Sequence, residues 1–332
     1  MSTRNLFMVA SPLQFLNAIE AKKTFQTNGN ILVLMLNSND NILDANQKMQ
    51  LLNEKDWDEV IIYDLGKIIK YKRIFQQVKL IKSLKKYNYN YIFSGEFGVM
   101  NQALLASLIS KEIYLLDDGT ATIFLYDKIN DNYLSKLPFY KKARYLRYKL
   151  FGLKYKINNN INFFTIYNIQ STKNIKVIKH SFSYLKSHNL NNCKKNNFIY
   201  ILGQNIVETN YINENTYIKY IKSIISYYNN KKIIYIPHRS ESTKKLNSLI
   251  SDNFILQPSS GPIEMKFISE SIYPAVVISF FSSSLFSLEK IFHESLIQSI
   301  KINYDNVISR KEVLLKCYEF LDQTNVSNLK ID

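Results

Sequence analysis

The chain alternates short β-branched or aromatic runs with amphipathic helical stretches, and it does so in two separate series. That pattern admits few folds. A strand, a helix and a second strand close as a parallel βαβ unit, and repeated units build a mostly parallel sheet with helices on its faces. In the first series strands are expected at 6–10, 31–36, 60–63, 89–93 and 112–116. Helices are expected at 47–52, 73–86 and 99–109, and after Ser11-Pro12, where Ser serves as N-cap and Pro takes the first helical position. Residues 126–195 are less regular, with an added strand at 163–169 and a connecting helix at 175–185. The second series places strands at 198–202, 233–236, 254–256, 275–281 and 296–302, and helices at 215–228, 244–250, 262–269, 284–292 and 311–321. The run at 275–281 is almost wholly apolar, as in a strand buried on both faces.

An α/β chain of two Rossmann-like domains facing a cleft follows, with domains at 1–175 and 176–332. That architecture suits glycosyltransferases of the GT-B type. The pattern alone also allows an epimerase or another two-domain α/β enzyme, because a fold does not name a reaction.

Composition narrows the partners. The 332 residues suffice for two cores, and a hydrophobic fraction of 46% excludes global disorder. The net charge of +16 fits nucleic acid, an anionic membrane surface or anionic small substrates. The basic residues are spread along the sequence and no nucleic-acid-binding motif occurs, so nucleic acid is not an expected partner. Cys193 and Cys317 have no metal-ligand spacing and are too few for a disulfide framework, which suits a reducing cytoplasm. The apolar run near the N-terminus is shorter than a signal peptide needs. The longest apolar region, 275–288, is interrupted by serines and falls short of the ~20 residues of a membrane span.

Ligands of open α/β sheets bind outside the carboxyl ends of the strands, so chemistry is sought there. Pro237-His238-Arg239 closes the strand at 233–236, setting an imidazole that titrates near neutrality beside a fixed cation. A capping His and a surface Arg explain the triplet equally well. Asp117-Asp118-Gly119 closes the strand at 112–116. Adjacent side chains of an extended chain point to opposite faces, so one Asp is free to meet a substrate hydroxyl as a general base while the other anchors the loop. An ordinary Asx turn is the competing reading. Ser282 and Ser283 lie where a strand gives way to a helix, a place suited to a phosphate and equally to simple capping. Glu264, in the first turn after Pro262, is placed to accept from a ribose diol or merely to face the helix dipole. Gly203 and Gln204 end the first strand of the second series, where backbone can approach a ligand. Ser11, Gln14 and Glu96 sit on first-series loops expected to meet the acceptor. His180, His188 and His293 read as surface or packing residues.

Taken in order, these segments resemble the bacterial sialyltransferases of the GT-B type. The resemblance is nearest to glycosyltransferase family 52, with the bacterial polysialyltransferases as cousins. Their acidic-acidic-Gly motif is similar to Asp117-Asp118-Gly119, their His-Pro motif to the segment at His238, and their Ser-Ser/Thr motif to Ser282-Ser283. One departure stands out: Arg239 follows His238 where the families have proline, and the proline precedes it. The resemblance implies an inverting transfer of sialic acid from CMP-sialic acid to a sugar hydroxyl, often of galactose, with neither metal nor cofactor. It implies Asp117 as general base, with Asp118 and Gly119 shaping the loop. His238 would act on the departing phosphate. Ser282 and Ser283 would hold that phosphate, with Gly203, Gln204 and Arg239 also on the donor side and Glu264 at the ribose. The acceptor would be a lipooligosaccharide, O-antigen or capsule glycan, free or lipid-linked, met in the cytoplasm or at the inner face of the inner membrane. Transfer of Kdo or another nonulosonic acid, polymerisation of sialic acid, and a non-catalytic nucleotide- or glycan-binding role are the alternatives.

Overall fold

The computed structural model describes residues 3–39, 42–131, 139–258 and 261–331. These form two compact units. The first holds residues up to Thr165 together with Ile169–His180; the second holds Ile166–Asn168 and the chain from Ser181.

The first unit runs β1 (Thr3–Val9), α1 (Pro12–Thr24), β2 (Asn30–Leu36), α2 (Ile42–Leu51), β3 (Glu59–Asp64), α3 (Arg73–Leu84), β4 (Asn88–Ser94), α4 (Val99–Ser107), β5 (Ile109–Leu116), α5 (Ala121–Asn130), α6 (Phe139–Lys149), β6 (Ile161–Thr165) and β7 (Val177–Lys179). Its seven strands lie in the order β3-β2-β1-β4-β5-β6-β7, and every pairing is parallel. The sheet is apolar because helices cover it: all of β2 is buried, as are the last residues of β1, β4 and β5. Stacked and edge-on rings at Phe7, Phe93, Tyr114 and Phe25 fill one face of it. Each fully buried Phe of this kind contributes about 1.5–3 kcal/mol.

The second unit runs α7 (Ser183–Asn189), β8 (Lys194–Lys195), β9 (Ile199–Leu202), α8 (Glu214–Tyr227), β10 (Ile233–Ile236), β11 (Phe254–Leu256), α9 (Ile263–Ser269), β12 (Ile272–Tyr273), β13 (Val276–Ser279), α10 (Ser283–Ile291), β14 (Leu296–Ser299), α11 (Lys311–Leu321) and β15 (Ser327–Asn328). Its main sheet has the order β11-β10-β9-β13-β14-β15, again all parallel. By order of appearance that is 3-2-1-4-5-6, the doubly wound arrangement. Both sheets therefore reverse their winding beside their first strand: at β1/β4 in one unit and at β9/β13 in the other.

Three expectations are corrected. The helix expected at 175–185 is instead β7, a turn through Phe182 at φ 54°, and then α7. The helix expected at 244–250 is a 3-10 segment, Thr243–Leu249. Two helices that the sequence reading lacks are present, α5 running into the irregular region and α6 within it.

Candidate active site

In the first unit the polar groups collect at the carboxyl ends of β1, β4 and β5, which are neighbours in the sheet. Ser11 caps α1, its Oγ accepting from the Gln14 backbone N–H at 3.3 Å. Gln14 is buried beneath this edge. Its Oε1 accepts from the Ala10 N–H at 2.7 Å, and its Nε2 donates to Asp118 Oδ1 at 2.7 Å. To reach from the end of β1 to the end of β5, the side chain crosses the backbone at the end of β4. Gly95 leaves the room, since a Cβ there would stand 2.1 Å from Gln14 Oε1. Glu96 follows, half-buried; its carboxyl is held above the usual range by burial first and by the Asp118 charge second, with Lys48 opposing. Lys48 is itself buried and donates to the Ala10 and Met35 carbonyls at 2.8 Å each while pairing with Asp44 at 2.7 Å.

The two aspartates occupy the reverse of their expected positions. Asp117 is fully buried and accepts from Thr165 Oγ1 at 2.6 Å, with His180 Nε2 3.9 Å from its other oxygen. Asp118 is exposed, and its backbone N–H donates to Thr122 Oγ1 at 2.8 Å. The cause is the end of β5, buried on both faces over Ile113–Leu116: the cover continues over Asp117, and the first side chain past the edge is Asp118. Gly119 takes φ +59° and completes the turn.

His180 is a packing residue, as expected, but not a surface one. Its ring stacks on Phe164 at 4.3 Å and 3°, and its backbone N–H bonds the Thr165 carbonyl. Burial lowers its pKa to about 3. The folded chain thus keeps a neutral imidazole where the unfolded chain takes up a proton near pH 6.5. Stability is present above pH 6.5 and is lost as pH falls toward 3, at up to about 1.4 kcal/mol per pH unit. Urea melts should show wild type losing stability faster than His180→Asn below neutrality; parallel pH profiles would refute the assignment.

In the second unit the site lies at the carboxyl ends of β10, β9 and β13. His238 is half-buried two residues beyond β10, and its Nδ1 accepts from the Ser240 backbone N–H at 3.2 Å. In the neutral ring the proton therefore sits on Nε2. Burial first, and the Arg239 charge second, lower its pKa, with Glu208 opposing. Arg239 is exposed. Ser282 caps α10, its Oγ accepting from Ser284 N–H at 3.3 Å; Ser283 beside it is half-exposed. Since β10 and β13 flank β9, their ends stand roughly 10 Å apart. Gln204 ties this edge together, its Oε1 accepting from the Phe281 N–H at 2.9 Å and from Ser279 Oγ at 3.3 Å.

Two donor-side expectations change. The Gly203 N–H bonds the Ile236 carbonyl, and a Cβ at Gly203 would stand 2.1 Å from Glu241 Oε2 and 2.5 Å from the Tyr235 hydroxyl. The glycine makes room for a buried carboxylate. Glu264 is buried, accepts from Ser287 Oγ of α10, and has its pKa raised by burial. It fastens α9 to α10, and its carboxylate does not line the open edge.

The sequence reading missed the support beneath His238. The Glu241 side chain is fully buried: its Oε2 accepts from the His238 backbone N–H at 3.0 Å, and its Oε1 from the Tyr235 hydroxyl at 2.6 Å and the Tyr217 hydroxyl at 3.1 Å. Lys245 Nζ, also buried, lies 3.1 Å from Glu241 and 2.8 Å from Glu208. A glutamate three residues after the histidine was the only local signal.

Among the described residues no three His, Cys, Asp or Glu side chains are grouped to hold a metal ion. Residues 5–301 match the family described as alpha-2,8-polysialyltransferase (POLYST). The chain belongs to that family. A member of it is a glycosyltransferase, with a nucleotide-sugar donor and a glycan acceptor, so the epimerase alternative falls away. Solved structures similar to this family member include the UDP-GlcNAc 2-epimerase of Methanocaldococcus jannaschii, 14% identical, with TM-score 0.50 over 96% of this chain and 92% of that one. A Listeria monocytogenes protein described as a UDP-N-acetylglucosamine 2-epimerase is 11% identical, with TM-score 0.54 over 97% and 89%. The GT-B domain of a Photobacterium damselae sialyltransferase is 13% identical, with TM-score 0.44 over 98% and 100%. The first two likenesses speak for the fold alone, which with the sheet orders is the Rossmann-like pair of the GT-B type. Comparison with curated proteins finds no match.

Proposed function

We propose that this family member moves sialic acid from CMP-sialic acid to a sugar hydroxyl of a bacterial surface glycan, with inversion at the anomeric carbon and without a metal ion. The observation that best supports the reading is the His238 loop. There a neutral imidazole is fixed with its Nε2–H as donor, at a sheet edge shared with the serine-capped start of α10. In the transfer, the acceptor oxygen bonds the anomeric carbon as the bond from that carbon to the phosphate oxygen breaks. Negative charge grows on the departing CMP phosphate. The His238 Nε2–H, the hydroxyls of Ser282 and Ser283, the α10 N-terminus and the Arg239 guanidinium are the groups that meet it. Asp118, rather than Asp117, takes the acceptor's proton, since only its carboxylate is exposed to a substrate. Ser11 and Glu96 belong to the acceptor side, with Gln14 orienting Asp118. Glu264 acts on the donor indirectly, by holding α10.

A second reading, polymerisation with a terminal sialic acid as acceptor in place of galactose, is favoured by the description of the family. The acceptor is met in the cytoplasm or at the inner face of the inner membrane, a placement compatible with Cys193 and Cys317 standing outside any disulfide.

Calorimetric titration with CMP, CDP, UDP and GDP, with and without EDTA, tests the donor. Selective, EDTA-insensitive binding of CMP is expected. Preference for a nucleoside diphosphate would sink the CMP-sugar reading. Product lengths on galactose-terminated and sialylated acceptors then separate single transfer from polymerisation.

A further inference from the structure

The chain's net positive charge lies in two segments that are distant in sequence and neighbours in the fold. Residues 65–86 carry eight Lys and Arg and no Asp or Glu, and residues 139–156 carry seven and none. These two segments hold nearly all of the net +16. They belong to one unit and pack together. Phe75 of α3 meets Phe151, just past α6, edge-on at 5.5 Å, and the buried Tyr148 hydroxyl donates to Gln77 Oε1 at 2.6 Å.

The same surface exposes large apolar side chains. Leu150 is 87% exposed, Tyr71 70%, Phe75 58% and Ile69 56%. Tyr71 and Phe75 are four residues apart and share a face where a 3-10 turn runs into α3. The buried side of α3 is taken by Val78, Ile81 and Leu84, so its core packing does not use these residues. Among the described residues no helix is long and apolar enough to cross a membrane.

We propose that this face of the first unit, built from the start of α3 and the end of α6, docks on an anionic lipid surface. The cations meet the headgroups while Leu150, Tyr71, Phe75 and Ile69 enter the boundary with the acyl chains. Charge complementarity selects an anionic partner, and the exposed aliphatic side chains select lipid over a soluble polyanion. A nucleic acid or a charged polysaccharide gains nothing from Leu150 or Ile69, whereas a bilayer interface covers them. Docking of this kind does not depend on which donor sugar the site takes.

Sedimentation of the full chain with vesicles is the test. Binding is expected to vesicles of phosphatidylglycerol with phosphatidylethanolamine and not to phosphatidylcholine alone, and it should weaken as salt rises. The double variant Tyr71→Ser/Leu150→Ser should lose roughly tenfold or more in vesicle affinity with an unchanged melting curve, as should Lys70→Glu/Lys149→Glu. Protein that stays in the supernatant with both vesicle types overturns the proposal. So does binding to heparin or polysialic acid at a site that the serine variant leaves intact, with vesicle binding equal to wild type; the face would then be a polyanion site.

Discussion

Asp118→Ala is expected to lower sialyl transfer about 10²–10⁴-fold while CMP affinity stays within about twofold of wild type. A base that takes a proton from an acceptor hydroxyl must come within hydrogen-bond reach of it. Asp118 allows such an approach, being exposed at the end of β5, where Gln14 Nε2 donates to it at 2.7 Å. Asp117 does not, with its carboxylate sealed between Thr165 and His180. The near-isosteric Asp117→Asn keeps an oxygen for the Thr165 hydroxyl, so it should retain transfer within about tenfold while melting earlier. Rates and melting curves of both variants decide the matter. Loss of transfer in Asp117→Asn at unchanged stability, with Asp118→Ala active, would return the base to Asp117.

The same pair shows where the sequence stops being informative. The strand ends were legible because β-branched runs are cut off by Gly, Ser and Asp, so Asp117-Asp118, His238 and Ser282-Ser283 all fell at carboxyl edges as read. The apolar run 113–116 marks an end of β5 covered on both faces, but which of the two adjacent aspartates then faces out depends on where the cover stops, and that is set by segments distant in sequence such as Thr165 and His180. Segment 175–185 misled for a related reason. Ile175, Ile178, Phe182 and Leu185 fall at helical spacing. What decides the structure is pairing with β6, Phe163 to Val177 and Phe164 to Ile178, a contact between distant residues. Glu264 followed the same pattern: its partner Ser287 lies 23 positions on, beyond any local reading. The basic face formed because α3 and α6 meet, although their sequences are far apart.

Glu241→Ala should cost the fold about 3–5 kcal/mol, because it strips a buried network of its shared acceptor. The Tyr217 and Tyr235 hydroxyls and the His238 backbone N–H all donate to this carboxylate, and Lys245 lies against it. Tyr235, Tyr217 and the Gly203 backbone enclose it, so water has little space to replace the lost oxygens. A loss of that size lowers the melting temperature by about 4–7 °C for a chain of this length. Turnover should fall as well, measured below the melting range, because the His238 loop loses its carboxylate anchor and keeps the Ser240 contact to the ring and the backbone bond from residue 241 to the His238 carbonyl. Glu241→Gln retains one carbonyl oxygen in place and should cost less on both counts, though it leaves Lys245 with Glu208 as its remaining anion. The two variants separate geometry from charge. If turnover follows the melting temperature through both, Glu241 serves the fold alone. If Glu241→Gln melts near wild type yet loses turnover at constant CMP affinity, the negative charge beneath His238 matters to the departing phosphate. An alanine variant as stable and as active as wild type would show that the loop is held by other contacts.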